Sequence, residues 1–227
     1  MIFNKHLDLR GQHALFSPSQ NAWLRYDDDK IIDRIKNQYR SALGTELHEF
    51  VASQIELNHK VTNLRGLVTG VENYIYTKYR CGDETSKTAA YGMTLLRRIG
   101  RLPKEVFETA RLYINDGILY HMTVEQPLYY SDCIFGTADT IAFRDNNLRI
   151  HDYKSGAHPA SMDQLMSYAA LFFLEYRIKP RDVHTELRIY QSGEIITCEP
   201  EPDEIEDIMS CIINITKLSE KQKAKEE

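Results

Sequence analysis

The order of hydrophobic patterns predicts an α/β domain with an N-terminal helical lobe. Helical periodicity dominates residues 1–120, period-two alternation dominates residues 121–200, and one helical pattern interrupts the strands. Taken in order, Ser17-Pro18-Ser19 ahead of Gln20–Leu24 reads as a capped short helix. From Lys30 to Glu56 apolar residues recur at 31, 35, 39, 43, 47, 51 and 55, a strict helical spacing with a bend or break expected at Gly44. Residues 57–86 read as an exposed connection with some helix. Helices follow at Thr88–Ile99 and, after Pro103, at Lys104–Leu119. Strands are expected at His121–Leu128, in a Phe135–Lys154 hairpin, at Val183–Tyr190 and, past a Ser192-Gly193 turn, at Glu194–Cys198. The interrupting helix spans about Ser161 to Arg177. The last helix starts near Pro202 with acids in its first turn and ends in a frayed, charged tail, KLSEKQKAKEE. The 227 residues suit a single domain: a lobe over 1–120, a sheet core over 121–200 and a C-terminal helix and tail over 201–227.

Composition excludes some classes. No apolar run approaches the ~18 residues a membrane helix needs, and MIFNKHLDLRGQHALF lacks a signal-peptide pattern, so no membrane association and a cytoplasmic location are expected. Cys81, Cys133, Cys198 and Cys211 are scattered without a CxxC pair, which fits reduced thiols and argues against zinc or a disulfide scaffold. A net charge of −5 counts mildly against strong non-specific nucleic-acid binding, although a local basic groove can coexist with an acidic shell.

The chemistry concentrates in GTADTIAFRDNNLRIHDYKSG. If the hairpin turns at Asp145-Asn146, Asp139 falls opposite Asp152; a three-residue loop shifts this by one position. Alternation puts Thr137, Asp139, Ile141 and Phe143 on one arm's face and Leu148, Ile150, Asp152 and Lys154 on the other's. Facing carboxylates about 5 Å apart repel unless a cation lies between them. Their apolar neighbours imply at least half burial, and Lys154 alone cannot neutralise both. A metal site is therefore favoured over a structural ion pair. A divalent cation on carboxylates suits phosphoryl chemistry, with Lys154 beside it to hold the attacking water. Tyr153 points to the opposite face, but its carbonyl lies between two ligand-bearing residues.

Other residues are ambiguous alone. Ser161 and Gln164 have capping-box spacing, and Tyr168 fits an amphipathic surface. His48 stands one position off the apolar stripe of its helix, where a structural or exposed histidine is the usual case. Glu125 is an acid on a strand without a local partner. His6, His13, His59, His121, His151, His158 and His184 form no HxxxH or HxH pair, and no phosphate loop, dinucleotide loop or nucleophile elbow is present.

Together these segments resemble the RecB-type branch of the PD-(D/E)XK nuclease superfamily. The resemblance rests on Gly44-x-x-x-His48, Val124-Glu125-x-Pro127-Leu128, Gly136-Thr137-Ala138-Asp139, Asp152-Tyr153-Lys154-Ser155-Gly156 and Gln164-x-x-x-Tyr168, in the family's order across residues 44–168. It implies a restriction-endonuclease-like core, a mixed central sheet flanked by helices in the order α-β-β-β-α-β. It also implies that His48, Asp139 and Asp152 hold one or two Mg²⁺ or Mn²⁺ ions with help from the Tyr153 carbonyl. Lys154 would position the nucleophilic water, Gln164 and Tyr168 would orient Lys154 or meet the DNA backbone, and Glu125 would lie beside the site. Some relatives bind an iron–sulfur cluster through one cysteine before the core and three close together after it; the cysteine spacing here departs from that pattern, and no cluster is expected.

The small size resembles stand-alone, lambda-exonuclease-like enzymes, which implies an exodeoxyribonuclease acting on linear DNA in recombination, repair or phage DNA processing. A recombination partner protein is compatible with this, as is an oligomer, since ring-forming relatives exist. Candidate backbone-binding cations are Lys30, Arg34, Lys36 and Arg40, or Arg97, Arg98 and Arg101, each set equally readable as a solvated helix face. The rivals are an inactive DNA-end or partner-binding protein that keeps the fold, and a metal-dependent hydrolase of RNA or nucleotides.

Overall fold

A computed structural model describes residues 14–83, 85–156 and 160–226. His6, His13 and His158 lie outside them. The chain divides into two compact units, Met1–Leu43 and Gly44–Glu227. In the first, a 3-10 segment over Pro18–Arg25 is pinned where the Trp23 indole donates to the Ser17 carbonyl at 2.9 Å and meets Phe16 edge-on. Its candidate cations are engaged locally: Lys30 lies over the Tyr26 ring, Arg34 donates to the Leu15 carbonyl, Lys36 pairs with Asp33 and Arg40 donates to Asn37.

Helix α1 runs Asp28–Glu56. Gly44 does not break it; this glycine serves a close approach described below. The segment expected to be mostly an exposed connection holds a regular helix, α2 (Leu64–Lys78), which starts where the Asn63 side chain accepts the Gly66 amide and buries Leu67, Val71 and Ile75. Its apolar stripe was obscured by polar residues between. Helices α3 (Lys87–Ile99) and α4 (Lys104–Leu119) follow the expected limits closely.

Five strands then build one sheet in the order β1-β2-β3-β4-β5: β1 Thr123–Ser131, β2 Ile134–Arg144, β3 Asn147–Lys154, β4 His184–Gln191 and β5 Glu194–Cys198. All neighbours are antiparallel except β3 and β4, so the sheet is mixed, as expected. A parallel pair needs a crossover, and α5 (Asp163–Tyr176) supplies it. With α6 (Pro202–Glu226), α5 covers one face around Leu148, Ile150, Leu165, Phe173, Leu187 and Ile189. The expected frayed tail is helical through Glu226. Among the described residues no helix is long and apolar enough to cross a membrane.

The opposite face of β3 and β4 is buried but polar. Tyr190 and Arg188 both reach the Asp116 carboxylate of α4, at 2.7 and 3.0 Å, and Arg149 and Arg188 share Glu186. His151 sits among them, its Nδ1 3.3 Å from the Tyr190 hydroxyl and its Nε2 buried without a partner. Burial pushes its pKa down from 6.5 to about 3, with Arg188 and Arg149 adding to the shift. His151 is therefore neutral when folded and takes up a proton on unfolding. Its contribution is intact above about pH 6.5 and is lost as pH falls from there toward about 3, by up to about 1.4 kcal/mol per pH unit. Urea midpoints measured between pH 7 and 4.5 should fall more steeply for the wild type than for His151→Phe, which keeps the ring and removes the titration.

Candidate active site

The hairpin turns at Asp145-Asn146, both in left-handed backbone (φ 50° and 56°), as a two-residue primed turn requires. Arg144 pairs with Asn147, and the ladder runs back to Thr140 opposite His151. The expected register is therefore correct, with Asp139 and Asp152 next in line. The ladder stops short of them. Beyond Thr140 strand β2 leaves β3, and the Tyr153 amide donates to Asp139 Oδ2 at 3.0 Å. Strand β3 continues against β4 as far as Lys154 opposite Gln191. A carboxylate replaces a strand carbonyl at the point where the sheet forks.

The alternation expected along β2 is broken at this fork. Gly136 faces Tyr168 of α5, and Phe143 packs on Phe172 of the same helix with ring centroids 5.2 Å apart. Residues seven positions apart in a regular strand would face opposite ways. The switch coincides with Glu125, which holds a left-handed φ of 47° opposite Asp139, between the pairs Val124–Thr140 and Gln126–Ala138. Glu125, Asp139 and Asp152 thus occupy matching positions on three neighbouring strands.

The other expected residues gather around this row. His48 of α1 brings Nδ1 to 3.6 Å from Asp139 Oδ2 and sets its ring edge-on to Tyr153, centroids 5.0 Å apart. Gly44, one turn earlier, lets α1 approach closely: a Cβ there would lie 3.1 Å from Ser155 Oγ. Lys154 Nζ donates to Asp152 Oδ1 at 2.9 Å and to Gln164 Oε1 at 3.3 Å, and Gln164 Nε2 lies 3.4 Å from the Tyr168 hydroxyl. The capping-box reading of Gln164 is set aside by these contacts. Ser161 bonds Asp163 instead, leaving Gln164 free to face the strands. Tyr153 is wholly buried and contributes its ring and amide.

Electrostatics mark the row as crowded with negative charge. Asp152 is 3% exposed; burial raises its pKa and Asp139 raises it further, against the pull of Lys154 and His48. Glu125 is raised by burial and then by Asp139. Asp152 Oδ2 is buried with no hydrogen-bond partner. Among the described residues no three His, Cys, Asp or Glu side chains already converge as a metal cage. The donor chemistry still fits a hard divalent cation: Asp152 Oδ2 is buried and lacks a hydrogen-bond partner, which a cation would supply, His48 Nδ1 lies beside Asp139, and Glu125 holds the matching position on β1.

Two contributors carry no local sequence signal. Tyr113 of α4 is buried against Tyr153, centroids 5.4 Å apart; burial and then the charge of Asp139, Asp152 and Glu125 hold its phenol well above the usual range. Glu46 and Glu49 flank His48 and share Lys78 of α2, and Tyr79 and Tyr74 donate to them at 2.6 Å. That network fixes the turn of α1 that presents His48.

A Cβ at Gly136 would lie 2.9 Å from Tyr168 Cε1. Gly136→Ala should therefore cost about 1–3 kcal/mol in chemical denaturation and fall to near neutral in a Tyr168→Ala background. Compared with protein-family models, curated proteins and solved structures, the chain matches none.

Proposed function

We propose that this chain is a divalent-metal-dependent nuclease that hydrolyses DNA phosphodiester bonds, working from the ends of linear DNA. The observation that carries the reading is the acid row at the fork, with its orphaned Asp152 oxygen and a lysine tied to the same carboxylate. His48, Asp139 and Asp152 are the residues that would hold Mg²⁺ or Mn²⁺, with the Tyr153 carbonyl assisting. When bound, such an ion neutralises the row, polarises a phosphoryl oxygen and lowers the pKa of a bound water.

The chain's own residues supply the rest. Hydrolysis adds water across a P–O bond: the attacking water loses a proton and the leaving oxygen gains one. Lys154 has three N–H donors, of which Asp152 and Gln164 take two, so the third is available to the water or to a non-bridging oxygen whose charge grows in the transition state. Gln164, steadied by Tyr168, holds the ammonium in that orientation. Glu125 lines the edge of the row, and Tyr113 and Tyr153 keep water from its floor. The reading of end recognition rests on the resemblance of the motifs across residues 44–168 to those of lambda-exonuclease-like enzymes.

End-labelled linear DNA and a covalently closed circle, each incubated with Mg²⁺, test this. Wild type should degrade the linear form and spare the circle, EDTA should stop it, and Lys154→Ala and Asp139→Ala should each lose about 10²-fold or more in rate. Equal rates in all three proteins would overturn the assignment, and DNA bound without cleavage in Mg²⁺ and Mn²⁺ would make this a binding protein. Magnesium should also raise the melting temperature of the wild type and leave that of Asp139→Ala unchanged.

A further inference from the structure

Helix α6 turns one side to the core and leaves a second apolar stripe in water. Ile205, Ile212 and Thr216 are buried. Offset from them around the helix, Ile208, Cys211, Ile215 and Leu218 follow at spacings of three, four and three, the pattern of a coiled-coil seam. Ile208 is half-buried, Cys211 is exposed, and Ile215 and Leu218 are 46% and 58% exposed. Past Thr216 the helix continues to Glu226 on residues that are exposed apart from half-buried Ser219. A helical end of this kind is marginal in water unless a neighbour packs on it.

Charge selects that neighbour. Glu201, Asp203, Glu204, Glu206 and Asp207 crowd the start of α6, whereas Lys217, Lys221, Lys223 and Lys225 crowd its end, with Glu220 among them. Arg181 engages Glu206 within the chain. The helix macrodipole favours such an order only in the first and last turns, so it accounts for Asp203 and Glu204 but not for Asp207, Lys217 or Lys221. The occupant that matches is apolar along its seam, basic where α6 is acidic and acidic where α6 is basic. A reversed copy of α6 has that pattern. A parallel copy would set acids on acids and lysines on lysines, which repel.

We propose that α6 packs antiparallel on α6 of a second copy of this chain, in a two-fold dimer. With the axis between Asn214 and Ile215, Cys211 falls opposite the partner's Leu218, Asp207 beside the partner's Lys221 and Glu204 opposite the partner's Lys225. The two Ile215 side chains flank the axis.

Sedimentation equilibrium of the full-length protein, from micromolar to submillimolar concentration, tests the interface. The wild type should associate to twice the mass of one chain. Leu218→Glu should raise the dissociation constant by about a hundredfold or more, since each dimer loses two leucines. Asp207→Lys and Lys221→Glu should each weaken self-association by roughly tenfold, and an equimolar mixture of the two should associate again, because each restores the charge the other lost. Circular dichroism shows that the variants keep their helix. Orientation is read by cross-linking in a Cys133→Ser background, which removes the thiol beside Thr216 and Ser219. There Leu218→Cys should form a disulfide with Cys211 of the other copy. Within one helix these positions stand about 10 Å apart, too far to bond. A bond joining the two Cys211 residues would mark a parallel pair and overturn the proposal. A monomer at every concentration, or a dimer indifferent to Leu218→Glu and to the charge reversals, also overturns it.

Discussion

One hydrogen bond organises the centre of this molecule: the Tyr153 amide donates to a carboxylate, Asp139, where a regular hairpin would offer a carbonyl. A buried amide must find an acceptor, and a side chain that provides one frees the strand backbone to leave. Strand β2 can then diverge while β3 stays paired with β4, and the gap admits the His48 imidazole from α1 and leaves Asp152 an oxygen with no partner. A charged acceptor is also a stronger one than a carbonyl, so the same substitution that opens the sheet holds the fork closed to further fraying.

The arrangement costs stability, and the surroundings compensate. Like charges on three adjacent strands disfavour the compact state. Around them the protein is stiff: aromatic rings of Tyr113, Tyr153 and Tyr190 interlock beneath the row, and the Glu46–Lys78–Glu49 network clamps α1 to α2. Burial opposes the charge on Lys78, and the bonds from Glu49 and Glu46 more than offset it, leaving the ammonium held above its ordinary pKa. Rigid support is what a site needs when its side chains must keep an unfavourable geometry before any ligand arrives.

Much of this was legible in the residue order. The Asp145-Asn146 turn fixed the hairpin register, because two consecutive left-handed positions tolerate few residue types and set the pairing arithmetic. The long spacing-of-four pattern located α1, and GxxD, DYK and QxxxY located the acids, the lysine and the glutamine. What was hidden depends on tertiary context. The face switch at Asp139 follows from a left-handed glutamate that no local propensity favours. Gln164 carries identical spacing whether it caps its helix or reaches across to Lys154; only the position of Ser161 against Asp163 separates the two. Tyr113 is indistinguishable in sequence from any buried tyrosine of an amphipathic helix, and His48 stood out only by resemblance.

The crossover helix α5 has a further consequence, in the order of events as the chain folds. The contacts Tyr153–Asp139 and Lys154–Gln164 join residues only 14 and 10 positions apart. They close small loops and can form with the hairpin and the helix that follows it, whereas His48 and Tyr113 must arrive from the distant helical lobe. The lysine side of the site can thus be set before the histidine side docks. A chain caught midway would hold its acids in register but lack the His48 imidazole, which arrives only when α1 packs against the hairpin.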